Sequence, residues 1–272
     1  MLYTSTRGQT DMVCSAHAIT RGLADDGGLF VPQKFATLTL DEIVAMSELP
    51  YAERAAKILS FFLTDYTEEE LLACTSSAYS EERFGGFAAP LKQVKDKIAV
   101  LELWHGPTSA FKDMALQLLP HLLMKAIEKT GEQNNIVILV ATSGDTGKAA
   151  LEGFPDIKGT QIIVFYPDDG VSDIQKRQMI TQQGSNVDVI AVHGNFDDAQ
   201  SGVKEIFSDE SLMEELKEKG YAFSSANSIN WGRLAPQIVY YFSAYAVAVM
   251  AGHIVAGDEI NFSVPTGNFV DI

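Results

Sequence analysis

The sequence predicts an α/β protein: a mainly parallel sheet with flanking helices, preceded by a mostly helical N-terminal domain. Three observations carry this expectation. From residue 97 onward, apolar strand-like runs alternate with helical stretches, the pattern of a parallel sheet with helical crossovers. The run Ile136-Val137-Ile138-Leu139-Val140 is apolar throughout, as in a strand covered on both faces. Residues 1–86 instead carry helical periodicity and helix caps. Gly85, Gly86 and Pro90 punctuate the chain between the two textures, which sets a boundary at 86/87. The expected domains are therefore 1–86 and 87–272.

In chain order, Asp25-Asp26-Gly27-Gly28 is a turn signal ahead of Leu29-Phe30-Val31-Pro32. Residues 40–46 and 51–63 read as helices. Thr67 before Glu68-Glu69-Glu70 is an N-cap with an acidic first turn. Residues 98–103 read as a strand. A helix follows, capped by Thr108 or Ser109 and running to Lys129, with Gly131 as its stop and a kink expected at Pro120. Next come a strand at 136–140 and a short helix opening at Ala149-Ala150-Leu151. Further strands are expected at 162–166 and 187–192, helices at 173–183, 197–207 and 234–252, and a last strand at 260–264.

Composition narrows the function classes. Hydrophobic residues are 46% and charged residues 21%, a balance that supports a folded core. The longest apolar stretch, 238–250, is interrupted by Tyr240, Tyr241, Ser243 and Tyr245, too short and polar to span a bilayer. The start, Met1-Leu2-Tyr3-Thr4-Ser5-Thr6-Arg7-Gly8, lacks a secretory pattern, so a cytoplasmic location is expected. A net charge of -16 argues against nucleic acid and anionic membrane as partners. Cys14 and Cys74 form no CxxC and the His residues are scattered, so two reduced thiols and no metal site are expected.

Ligands in such folds bind beyond the carboxyl ends of the strands. Three loops qualify: 104–112, 141–147 and 265–269. The second, Ala141-Thr142-Ser143-Gly144-Asp145-Thr146-Gly147, leads into a helix whose first N–H groups can bind an anion. It is no Walker A loop, because Ala149 follows Lys148, and the chain holds no GxGxxG. An ordinary helix cap accounts for these residues equally well. The third loop, with Gly267-Asn268, suits either an anion or a left-handed turn. Lys112 sits where a helix begins, and the positive end of a helix dipole disfavours an ammonium and favours amine nucleophilicity and Schiff-base chemistry. The plain alternative is a solvated surface lysine.

Glu102-Leu103-Trp104-His105-Gly106-Pro107-Thr108-Ser109-Ala110-Phe111-Lys112-Asp113 resembles the cofactor-lysine segment of the threonine synthases. Thr142-Ser143-Gly144-Asp145-Thr146-Gly147 resembles that family's substrate and cofactor-ring loop. Tyr3-Thr4-Ser5-Thr6-Arg7-Gly8 and residues 22–32 resemble its N-terminal domain. Asn227-Ser228-Ile229-Asn230-Trp231-Gly232-Arg233 resembles a further segment. The matches run in the family's order from residue 3 to residue 269.

The resemblance implies the fold of the tryptophan-synthase β-like pyridoxal 5'-phosphate (PLP) enzymes, fold type II. It implies that Lys112 holds PLP and is the catalytic residue. Ser143, Gly144, Asp145 and Thr146 would face the cofactor ring, and Gly267, Asn268 and Phe269 would cradle its phosphate. Thr142, Ser143, Asn230 and Arg233 would bind substrate. The implied reaction converts O-phosphohomoserine and water to threonine and phosphate, with PLP as electron sink. A threonine-synthase-like phospholyase is the neighbouring alternative, and a PLP-binding domain without turnover is the alternative of another class. Val270 stands where the family usually has glycine, and the chain stops at Ile272 inside that motif. Both features lead to the expectation of an N-terminal portion with impaired turnover and a tendency to self-associate.

Overall fold

The structure, a computed structural model, describes residues 1–265. Its first part begins with β1 (Tyr3–Ser5) and α1 (Ser15–Arg21), and β1 pairs antiparallel with β2 (Phe30–Pro32). The helices α2 (Leu40–Ala45), α3 (Tyr51–Ser60), α4 (Glu68–Ala78) and α5 (Glu81–Phe84) follow. Their starts are written locally. Thr67 accepts from the Glu70 amide while the Glu70 carboxylate accepts from the Thr67 amide, a reciprocal cap on α4. Thr39 and Glu42 repeat the arrangement on α2.

The second part opens with a hairpin, β3 (Leu91–Lys95) and β4 (Ile98–Leu101), paired antiparallel in a sheet of its own. Residues 98–103 were expected to continue into the parallel texture. They instead turn back on β3, and Lys97 at the turn adopts a φ of 61°. Two helices then stand where one was expected, α6 (Asp113–Leu116) and α7 (Leu119–Thr130). Pro120 lies in the first turn of α7, where its missing N–H costs nothing, so it starts a helix rather than kinking one.

The remaining elements are β5 (Asn135–Ala141), α8 (Asp145–Gly153), β6 (Thr160–Pro167), α9 (Asp173–Ile180), β7 (Val187–Val192), α10 (Phe196–Ser208), α11 (Glu210–Glu218), β8 (Tyr221–Ser225) and α12 (Trp231–Met250). The four strands form one parallel sheet in the order β7-β6-β5-β8. Register pairs Val140 with Val164, Val164 with Val189 and Ile138 with Ser224. The α/β architecture expected from the sequence is the one observed.

Both faces of β5 are covered. Ile136, Ile138 and Val140 face the main core with Ile162, Val164, Leu151 and Val239. Val137, Leu139 and Ala141 face α10 through Ala199 and Val203. The main core is continuous with the N-terminal helices: the Tyr3 ring lies 5.4 Å from that of Trp231, and the Tyr66 hydroxyl donates to Leu122 O at 3.0 Å. Residues 260–264, expected as a strand, belong to none among the described residues. Val, Ile and Phe favour extended backbone, but a strand needs a hydrogen-bonding neighbour. Phe262 rests instead edge-on against Tyr241 at 4.9 Å. Among the described residues no helix is long and apolar enough to cross a membrane.

Candidate active site

Two loops converge, one leaving the β3-β4 hairpin and one leaving β5 of the parallel sheet. The 102–112 loop descends from β4 and delivers Lys112 to the cap position of α6, with helical φ and ψ of -58° and -27°. Neither Thr108 nor Ser109 caps that helix. Thr108 bonds forward to Asp113, and Ser109 adopts a φ of 57°. Lys112 is 8% exposed, and its Nζ lies 3.7 Å from Asp145 Oδ1 and 4.7 Å from the centre of the Phe111 ring. A solvated surface lysine is thereby ruled out. Because α6 has only four residues, its dipole is slight, and the nearby Asp145 carboxylate is the charge that faces the amine.

The 142–147 loop is internally braced. Buried Thr142 accepts through Oγ1 from the Gly144 amide at 3.0 Å and the Gly147 amide at 2.8 Å. The Thr146 amide donates to Asp145 Oδ1 at 2.8 Å. Three amides at the start of α8 are therefore engaged within the loop. Gly144 has a φ of 150°, and a Cβ there would lie 2.4 Å from Gln175 Oε1, so the position needs glycine. Ser143 is exposed and Thr146 half-buried at the loop tip. Beside this loop lies a cleft of about 300 Å³, lined by residues 108–111, Asp145, Lys148, Gln175 and Gln178.

Arg233, in the first turn of α12, is among the largest fully buried side chains. Its Nη1 donates to Ala226 O at 2.7 Å, while its Nε has no hydrogen-bond partner among the described residues. Burial lowers its pKa to about 10, and the nearby Asp145 carboxylate acts in the opposite direction. Asn230 was expected to touch substrate, but its side chain is engaged inside the fold. Its Nδ2 donates to Ile19 O and Ser225 O, and its Oδ1 accepts from the Gly232 amide as the cap of α12. It holds the helix that carries Arg233. Gly267, Asn268, Phe269 and Val270 lie outside the described residues.

Residues 87–260, more than half of the chain, match the family described as pyridoxal-phosphate dependent enzyme. The chain belongs to the pyridoxal-phosphate-dependent enzymes. Within this PLP-dependent family, residues 2–79 also match the description threonine synthase N terminus. The chain is 44% identical to threonine synthase of Pseudomonas aeruginosa, covering 100% of this chain and 55% of the relative. It is 41% identical to human threonine synthase-like 1, covering 94% of this chain and 35% of that one. A PLP-bound threonine synthase structure from Brucella melitensis superposes with a TM-score of 0.85 at 39% identity, covering 100% of this chain and 56% of that one. The chain thus spans about half the length, or less, of the relatives it matches.

The residues present fit the PLP of this family. A buried amine stands beside a polar cleft, and a buried guanidinium feels the charge of the same carboxylate. The sequence reading of this PLP enzyme missed several contributors. Asn227 ties the end of β5 to the 226–230 loop, donating to Ala141 O at 2.9 Å and accepting from Ala141 N at 3.1 Å. Its place in the Asn227–Arg233 segment was the available signal. Gln175 and Gln178 reach the cleft from α9, and nothing local to them signals it.

Proposed function

We propose that the protein acts as a threonine synthase, a PLP-dependent lyase converting O-phosphohomoserine and water to threonine and phosphate by γ-elimination and β-addition of water. In this reading residues 1–86 form the N-terminal domain, 87–272 belong to the PLP-binding domain, and the protein works in the cytoplasm on a small phosphorylated amino acid. One observation carries the proposal. Two segments that resemble threonine synthase, 102–113 and 142–147, meet with Lys112 Nζ 3.7 Å from Asp145.

When bound, PLP supplies an electron sink for negative charge on the substrate carbons beside the amino group. Lys112 would hold the cofactor through Nζ, and its amine would take and return protons at the substrate carbons. Asp145 orients that amine and balances its charge. Ser143 and Thr146 offer hydroxyls to the substrate at the start of α8, with Thr142 and Gly144 keeping the loop in shape. Arg233 offers a cation to the substrate phosphate, and its burial keeps water from weakening the attraction. Gly267, Asn268 and Phe269 remain assigned to the cofactor phosphate by resemblance.

The test has two arms. The protein is incubated with PLP, reduced with borohydride and mapped by peptide mass, and the pyridoxyl group is expected on Lys112. Phosphate release is then measured with O-phosphohomoserine and with other phosphorylated amino acids, and O-phosphohomoserine is expected to be preferred. Labelling of a different lysine, or preference for another phosphorylated amino acid, overturns the proposal.

A further inference from the structure

We infer that Asp113 is a positioning residue for Lys112, a buried carboxylate that clamps the 106–112 loop so that the amine meets the cleft from a fixed place. The inference deepens the function proposed above and rests on it. Asp113 is fully buried at the start of α6, next to Lys112 in the chain. Its Oδ2 accepts from the Thr108 amide at 2.8 Å, and its Oδ1 accepts from Thr108 Oγ1 at 2.8 Å. One side chain therefore closes the loop back on the helix start through both oxygens. Burial pushes the Asp113 carboxyl above the ordinary range, and the two bonds from Thr108 act in the opposite direction.

Two further features show that this closure is tight. Ser109, inside the closed span, has a φ of 57°, a conformation that a non-glycine residue keeps only when its surroundings hold it. At Gly106 an added Cβ would lie 2.5 Å from Asp113 Cβ and 2.6 Å from Oδ2, so the backbone itself rests on the carboxylate. The clamped residues are those that matter to the cleft. Thr108, Ser109, Ala110 and Phe111 form part of its wall, and Phe111 carries the ring against which Lys112 Nζ lies. Asp113 does not line the cleft itself. It acts through Thr108 and the loop backbone.

The experiment compares Asp113→Ala, Asp113→Asn and Thr108→Val with the unaltered protein. The readouts are the PLP concentration for half-maximal borohydride capture at Lys112, and the thermal midpoint without cofactor. Asp113→Ala is expected to raise that concentration about tenfold or more, the scale of one hydrogen bond to a charged group. An asparagine can accept from the Thr108 amide and donate to its hydroxyl. Asp113→Asn is therefore expected to restore capture while the Ala variant does not. Unchanged capture by folded Asp113→Ala overturns the clamp, as does an equal loss in the Ala and Asn variants, which would assign the effect to charge. Where Asp113→Ala does not fold, Thr108→Val decides, and undiminished capture there overturns the inference. If the unaltered protein takes no pyridoxyl group at Lys112, the failure belongs to the proposed function. The clamp is then read from reductive methylation of Lys112 by formaldehyde with cyanoborohydride in cofactor-free protein. Faster methylation in Asp113→Ala supports it, and equal rates overturn it.

Discussion

Arg233 and His121 show how burial sets the behaviour of single charges. Arg233 is a buried cation with one donor engaged by Ala226 O and another unpartnered among the described residues, and Asp145 is the carboxylate that acts on it. Replacing it should leave PLP capture at Lys112 nearly unchanged while raising the KM for a phosphorylated substrate about tenfold or more, as expected for one lost charge-assisted contact. Equal losses of both would mean that Arg233→Ala disturbs the fold, and no loss of either would remove it from the site. His121 is held below the ordinary imidazole range, first by burial and then by Arg83. His17 is lowered chiefly by burial as well. A lowered folded value means that the unfolded chain binds the proton more readily, so acid favours unfolding. The stabilisation is complete above the unfolded value of about 6.5 and is lost as pH falls through that value toward the folded ones. Carboxylates lowered by partners, such as Asp168 and Glu70, lose theirs only in a more acidic window. The thermal midpoint should therefore drop between pH 7 and pH 5, and His121→Gln should flatten that drop. An unaltered slope in the variant would show that His121 contributes nothing to it.

At the scale of elements, the approach of α8 to α6 is what brings Asp145 to Lys112. That approach depends on the last residue of α8. A Cβ on Gly153 would lie 2.2 Å from Leu116 O, a backbone atom of α6 that has no room to yield. Gly153→Ala should therefore cost about 1–3 kcal/mol by overpacking, read as a lower urea midpoint at unchanged m. Gly202, in the middle of α10, provides the contrast, because among the described residues nothing lies within 4 Å of its added Cβ. There the same substitution should stabilise by about 0.5–1 kcal/mol, through helix propensity and a less flexible unfolded chain. Identical signs for the two variants would contradict the packing assigned to α8 and α6.

For the molecule as a whole, charge is the dominant long-range feature. Thirty-six acidic side chains stand against 20 basic ones, so a net charge of -16 remains and the compact state repels itself. Salt weakens both this repulsion and the exposed ion pairs such as Lys219–Glu215. Exposed pairs contribute little each, so relief of the repulsion should win. The thermal midpoint is expected to rise between 10 mM and 150 mM sodium chloride, as the screening length shrinks from about 30 Å to about 8 Å. A falling midpoint would show that the ion pairs outweigh the net charge.

What the sequence determined by itself is what short windows of chain contain. The run from Ile136 to Val140 announced a strand covered on both faces, because every side chain of such a strand must be apolar. Thr67 and Glu70 announced a helix start, because the cap is made by residues three apart. The segment around Lys112 announced the cofactor family through its own residues. The tertiary structure alone decided the pairing of β4 with β3, the absence of a strand at 260–264 and the break between α6 and α7. It also decided that Asn230 caps a helix and that Lys112 meets Asp145. Each of these depends on which distant group lies opposite, and the energy of such a contact is carried by neither residue's local sequence.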